Sequence, residues 1–232
     1  MTAALSLLSA GAAQGLVKAL QGDFEARADA ALQARYGAVG AMREALAAGE
    51  PCDVFIVTER MVGELVAEGR LAAAPIGALG RVRTGVAVRG GEARPAIDGP
   101  EALRAALLAA SAIYFPDPER ATAGIHFAKV LSSLGVHEAL RERLRTFPNG
   151  ATAMREMAAG PAGAIGCTQV SEILYTPGVR LVGALPAAFE LSTPYTAAVS
   201  ARAAQPQLAA AFIAHLTGVA TAAARRDAGF DA

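Results

Sequence analysis

The stretch ALSLLSAGAAQGLVKAL, residues 4–20, decides the reading of this chain. A short apolar run, LSLL, is followed by a loop of small residues, and Leu16 and Leu20 then recur four apart, with Phe24 one turn further on. That spacing puts three apolar side chains on one face of a helix, whereas the run before it suits a strand covered on both sides. The unit is therefore strand, small-residue loop, helix. Although an apolar start ending in small residues resembles a secretory leader, no cation precedes Lys18 and the apolar run is only a few residues long. The segment is expected to be a buried first strand, the chain leaderless and its location cytoplasmic.

The same unit recurs along the sequence. ALQARY, GAVG and AMREALAAG (residues 31–49) form the second, with Gly49 as the helix stop. PCDVFIVT (51–58) reads as a parallel strand and MVGELVAEG (61–69) as its helix. Arg81 and Arg83 interrupt the apolar pattern of GRVRTGVAVR, and the turn-rich GGEARPAIDGP (90–100) marks a crossing into a second lobe. Beyond it come a helix in EALRAALLAA, a strand in SAIYF, and a helix IHFAKVLSSLG ended by Gly135. A helix HEALRERLR, a strand RTF, the turn PNG and the helix ATAMREMAAG follow. Strands in VRLVGAL and PYTAAVSA lead to a helical end. Strands alternating with helices imply an α/β fold with largely parallel sheets.

Bulk composition narrows the function. With 232 residues, 53% of them hydrophobic and 18% charged, the chain is long enough for two lobes that each bury a core. Its 21 basic and 21 acidic residues cancel, which argues against nucleic acid or an anionic membrane surface as partner. No run of 18 uninterrupted apolar residues marks a membrane span. Cys52 and Cys167 lie far apart, and His126, His137 and His215 are scattered, so no metal site and no cofactor is expected. Phosphate-loop, serine-elbow and zinc-protease motifs are absent, which disfavours nucleotides and the common hydrolases.

Chemistry is expected at four loops, SAGAAQG (9–15), GAVG (37–40), TAG (122–124) and GCTQ (166–169), each read as following a strand and opening a helix. Ligands of open α/β sheets sit beyond the carboxyl ends of the strands, where helix N-termini offer free N–H groups to anions. One exposed helix dipole contributes only about 0.3–1 kcal/mol, so several must act together. The alternative is that Gly and Ala there simply permit tight turns.

The order of SAGAAQGLVKAL, GAVGAMREALAAGEPCDVFIV, YFPDPERATAGIHFAKVLSSLG, NGATAMREMAAG, GAIGC and GVRLVGALPAAFELSTPYTAAV resembles the periplasmic molybdate-binding protein family across nearly the whole chain. That resemblance implies a class II periplasmic binding fold: lobe one from residues 1–81 plus 196–232, lobe two with its hinge strands from 82–195, and a ligand clamped between them. It also implies serine ligands in the first two loops, but Gly11, Ala12 and the stretch Ala38, Val39 and Gly40 stand at those positions, and Gly166 stands where the family has a tyrosine. Ala123 and the turn at Pro148 and Asn149 keep positions that bind through backbone amides. Loss of three polar ligands and a phenol ring points to a bulkier anion than molybdate, such as an organic carboxylate.

Individual side chains carry two readings each. Gln14, Asn149, Thr122 and Thr168 are either caps or ligand contacts, and Tyr195 on a returning strand is either packing or a contact. Arg81 and Arg83 pair with a carboxylate or with surface acids, while His126 is a boundary residue of an apolar helix. Cys167, read as opening a helix, is either an inert buried thiol or one made reactive by the helix start. The resemblance extends to aconitate isomerases, so two functions are carried forward: a small-anion solute-binding protein, and an isomerase of a small unsaturated carboxylate with Cys167 as base. A leaderless chain has no evident route to a transporter partner.

Overall fold

The computed structural model describes residues 3–231 and divides them into two compact units. One contains the chain up to Val82 together with Thr193 onward, and the other is Arg83–Ser192. The expected boundaries were 81/82 and 195/196. Both crossings run inside strands: β4 (Leu71–Arg89) carries the chain into the second unit and β9 (Ser192–Ser200) carries it back.

In the first unit β1 (Ala3–Ala10) lies parallel to β2 (Ala30–Gly37), with Leu5 opposite Leu32, and to β3 (Val54–Thr58), with Leu8 opposite Phe55. β9 closes the other side of β3, antiparallel, pairing Val199 with Val54. The apolar run at residues 5–8 is thus a strand with neighbours on both edges. Leu5, Leu7, Val54, Phe55, Ile56 and Val57 are all buried, as strands packed on both faces require. α1 (Gln14–Ala28) and α9 (Pro206–Thr217) cover the sheet together: Leu16, Leu20 and Phe24 are buried at the predicted spacing, and the rings of Phe24 and Phe212 meet edge to face at 4.8 Å. α2 (Val39–Ala47), α3 (Glu59–Ala67) and α10 (Ala222–Asp227) complete the unit. Gly49 follows α2 at φ 82°, the left-handed stop expected of it.

Asp53 ties this unit together from the inside. Its buried carboxylate accepts the Ser6 N–H at 2.8 Å and the Gln205 N–H at 2.9 Å, joining β1 and the start of α9 to β3. At the far end Gly80, with φ at 120°, lets β4 approach the last residues, where Arg81 and Asp231 exchange backbone hydrogen bonds of 2.7 and 2.8 Å. A side chain at Gly80 would overlap the Asp231 carbonyl oxygen.

The second unit is a mixed sheet. β7 (Ile165–Gln169) is antiparallel to β4, pairing Cys167 with Val86, and parallel to β5 (Ile113–Pro116). β6 (Leu144–Phe147) continues the sheet beyond β5, and β8 (Val179–Ala184) pairs with β4. α4 (Pro100–Ala109) and α5 (Thr122–Ser133) cover a core of Val86, Val88, Ile113, Phe115, Phe127 and Cys167. α7 (Gly150–Ala159) and α8 (Val170–Tyr175) cover a second core built on Ala87, Tyr114, Met154, Met157 and Ile173. The helix expected in HEALRERLR is only the short α6 (His137–Leu140) and a 3-10 turn over Arg141–Arg143. Pairing of Leu144 with Ile113 draws the chain into β6 before the helix can extend.

Candidate functional site

Within the first unit, β1 and β2 end in loops whose residues offer backbone and little else. Ala10 leads into a 3-10 turn over Gly11–Ala13, which runs directly into α1 with Gln14 as its first residue. Gly11, Ala12 and Ala13 are buried, and no side chain caps either start. Ala38 precedes α2 in extended backbone, again without a side-chain cap, and Val39 is the first helical residue. By contrast α3 is capped by the Thr58 hydroxyl, which accepts the Met61 N–H at 3.4 Å. Neither Ala13 nor Ala38 caps the helix it precedes with a side chain, and the Gln14 N–H donates to the Gly11 carbonyl oxygen as the 3-10 turn passes into α1.

Tyr195 belongs to the packing of this unit. It is 2% exposed on β9, opposite Thr58, with its ring against Phe230 at 6.2 Å.

In the second unit α5 and α7 begin just beyond the carboxyl ends of β5 and β6. Thr122 opens α5 after Ala121, with no side-chain cap; Ala123 and Gly124 are buried in its first turn. A side chain at Gly124 would collide with the carbonyl oxygens of Pro116 and Asp117, so glycine allows the helix to sit against the strand end. Asp117 holds the intervening loop by accepting the Glu119 N–H at 2.8 Å and the Arg120 N–H at 3.1 Å. Asn149 resolves as a cap: its side-chain oxygen accepts the Thr152 N–H at 2.9 Å at the start of α7.

The fourth predicted loop is not a loop. Gly166, Cys167 and Thr168 are the middle of β7, and α8 starts only at Val170. Cys167 thus has no helix start beside it. Strand alternation turns it into the α5-side core, where it is fully buried, and burial pushes its thiol well above the ordinary value of 9.0. Cys167 is a core thiol of β7, without the helix start that was expected to make it reactive. A side chain at Gly166 would meet the ends of the Met154 and Met157 side chains, at 2.5 and 2.8 Å.

Thr168 is engaged with a residue that the sequence did not single out. Its hydroxyl donates to Glu172 Oε2 at 2.5 Å. Glu172 is buried, and besides the Thr168 hydroxyl the backbone N–H groups of Gly150, Ala151 and Gln169 lie about its carboxyl group. Burial raises its pKa above the ordinary 4.5, while these four donors oppose the rise. One local signal existed: Glu172 lies three residues after Gln169, the spacing by which a glutamate reaches back to the N–H that precedes its own helix. Its partners at residues 150 and 151 are visible only in the fold.

Two polar side chains at the end of β7 are left over. Thr84 and Gln169 are register partners across β4 and β7, both buried, and the Thr84 hydroxyl and Gln169 amide have no hydrogen-bond partner. His126 is satisfied, with Nε2 at 2.8 Å from the Phe189 carbonyl oxygen. Among the described residues no group of three His, Cys, Asp or Glu side chains is placed to hold a metal, both cysteines are free thiols, and no single helix is long and apolar enough to cross a membrane.

Comparison with known proteins places the chain. It is 26% identical over 231 residues to an aconitate isomerase of a Pseudomonas species, covering 97% of this chain and 86% of that protein. The periplasmic molybdate-binding protein of Azotobacter vinelandii superposes with a TM-score of 0.80 at 21% identity, over 98% of this chain and 99% of the other. The sulfate-binding protein SubI of Mycobacterium tuberculosis gives 0.73 at 18% identity, over 98% and 86%. These two structures establish the fold, the two-lobed periplasmic binding fold expected from the sequence. A model of the bacterial extracellular solute-binding proteins matches residues 5–231, and the chain belongs to that family.

Proposed function

We propose that this protein binds a small organic carboxylate and discriminates against molybdate. One observation carries the reading: the starts of α1, α2 and α5 have no side-chain caps and are lined by Gly11, Ala12, Ala38, Ala121 and Ala123, so main-chain N–H groups are their donors. Such groups suit an anion, and no serine hydroxyl supplements them at the positions where the molybdate-binding family has serines. A charge-assisted hydrogen bond contributes about 1.5–3 kcal/mol, so loss of two weakens an oxyanion by a factor of hundreds. The near full-length likeness to an aconitate isomerase favours a di- or tricarboxylate in its place.

The test is calorimetric titration and thermal shift with molybdate, sulfate, citrate and the two aconitates. A carboxylate at a hundredfold its Kd should stabilise the protein by about 2.7 kcal/mol. Submicromolar molybdate binding overturns the reading.

A second reading, isomerisation of an unsaturated carboxylate, is favoured by the same likeness. Incubation with cis- and trans-aconitate in deuterated water, followed by NMR, decides it, and absence of turnover on both removes it. The proposed location is the cytoplasm; recovery from the periplasm after cell fractionation overturns that and restores a transporter partner.

A further inference from the structure

In the second unit the start of α7 is an anion seat that is already occupied. The Gly150 and Ala151 N–H groups, the Gln169 N–H and the Thr168 hydroxyl converge on one carboxylate, that of Glu172, which is 5% exposed. Gly150 is what makes the approach possible, because a side chain there would overlap Oε2 of Glu172 and Oγ1 of Thr168. A ten-residue helix presents the positive end of its dipole to this group. The arrangement is the one by which a protein holds a bound carboxylate, except that the carboxylate is covalently its own.

We propose that Glu172 is a built-in occupant of this seat and a specificity-determining residue, closing the start of α7 to any external anion. A free oxyanion arriving at α7 would have to displace the Glu172 side chain, which already fills the space beside Gly150 and Thr168. The role in selectivity rests on the reading that the ligand is anionic. The seat itself does not, and it is tested by the difference that removal of Glu172 makes to the response to one small carboxylate.

Glu172→Ala removes the side chain and leaves its donors in place. In a thermal melt the variant should lose stability and recover several degrees, saturably, in sodium acetate or formate relative to sodium chloride of equal ionic strength. The gain should exceed that of wild type in the same salts, and a gain no larger than wild type's overturns the seat. Failure of both carboxylates to stabilise the variant beyond chloride overturns the seat, whatever the natural ligand proves to be. Where Glu172→Ala does not fold, wild type is followed by NMR instead: the Gly150 and Ala151 amide protons should titrate with the Glu172 carboxyl, and amides indifferent to that titration also overturn it. If the acetate result holds, Glu172→Ala should also bind molybdate more tightly than wild type does, and equal affinities would overturn the role in selectivity alone.

Discussion

Burial and hydrogen bonding pull on Glu172 in opposite directions, and burial prevails, setting its pKa above that of an exposed carboxyl. The linkage follows from proton counting. Between the ordinary value of 4.5 and the raised folded value, the folded state holds a proton that the unfolded state has released. The contribution of this group is therefore fully present at acid pH and is lost as pH rises through that interval. Denaturant unfolding across the interval should show stability falling with pH in the wild type and a flatter profile in Glu172→Gln. Cys167 makes a second prediction at this scale. Its thiol, sealed in the core, should resist an aromatic disulfide reagent in the native protein and react only on unfolding. Cys167→Ala should leave ligand affinity, and any turnover of aconitate, unchanged; a loss of either would return this residue to the site.

Elements are held in this fold by a few polar side chains whose partners are distant in sequence. Asp53 joins three of them, and its removal takes away the acceptor of the Ser6 and Gln205 N–H groups. Both bonds run to a charged acceptor but are only part-buried, so Asp53→Ala should lower unfolding free energy by about 1–3 kcal/mol in urea titration, with Asp53→Asn losing less. The strands themselves were legible in the sequence because LSLL, VFIV and AIYF are apolar runs too short for helices and flanked by small or turn-forming residues. Helix faces were legible for the same kind of reason, as the spacing of Leu16, Leu20 and Phe24 illustrates. What escaped was settled by register. GCTQ reads as a loop until pairing with β4 makes it strand, and that one change removes Cys167 from a helix start and buries it. Glu172 looks like an ordinary helix residue until α7 is set against it, since nothing near residue 172 announces partners at 150 and 151. Around the candidate site, the loops at Gly11, Ala38 and Thr122 were readable as places where a helix opens after a strand, because turn chemistry is local.

At the scale of the whole molecule, the first unit is discontinuous and the second is a continuous insert. A fragment ending at residue 192 lacks nearly all of β9 and every element after it, so β3 has no partner on one side. Such a fragment should give a dispersed NMR spectrum for the second unit only, and dispersion from both units would contradict the division. That discontinuity bears on how the chain is made. A ribosome releases β1, β2 and β3 early, but the strand that shields VFIVT is among the last segments to emerge. Throughout the synthesis of the insert, a fully apolar edge stands open in the nascent chain, the kind of edge that recruits strands from neighbouring molecules. Yield in the cell should therefore respond to translation rate and to chaperone supply more than equilibrium stability alone suggests, and slowing elongation within residues 83–192 should increase the aggregated fraction.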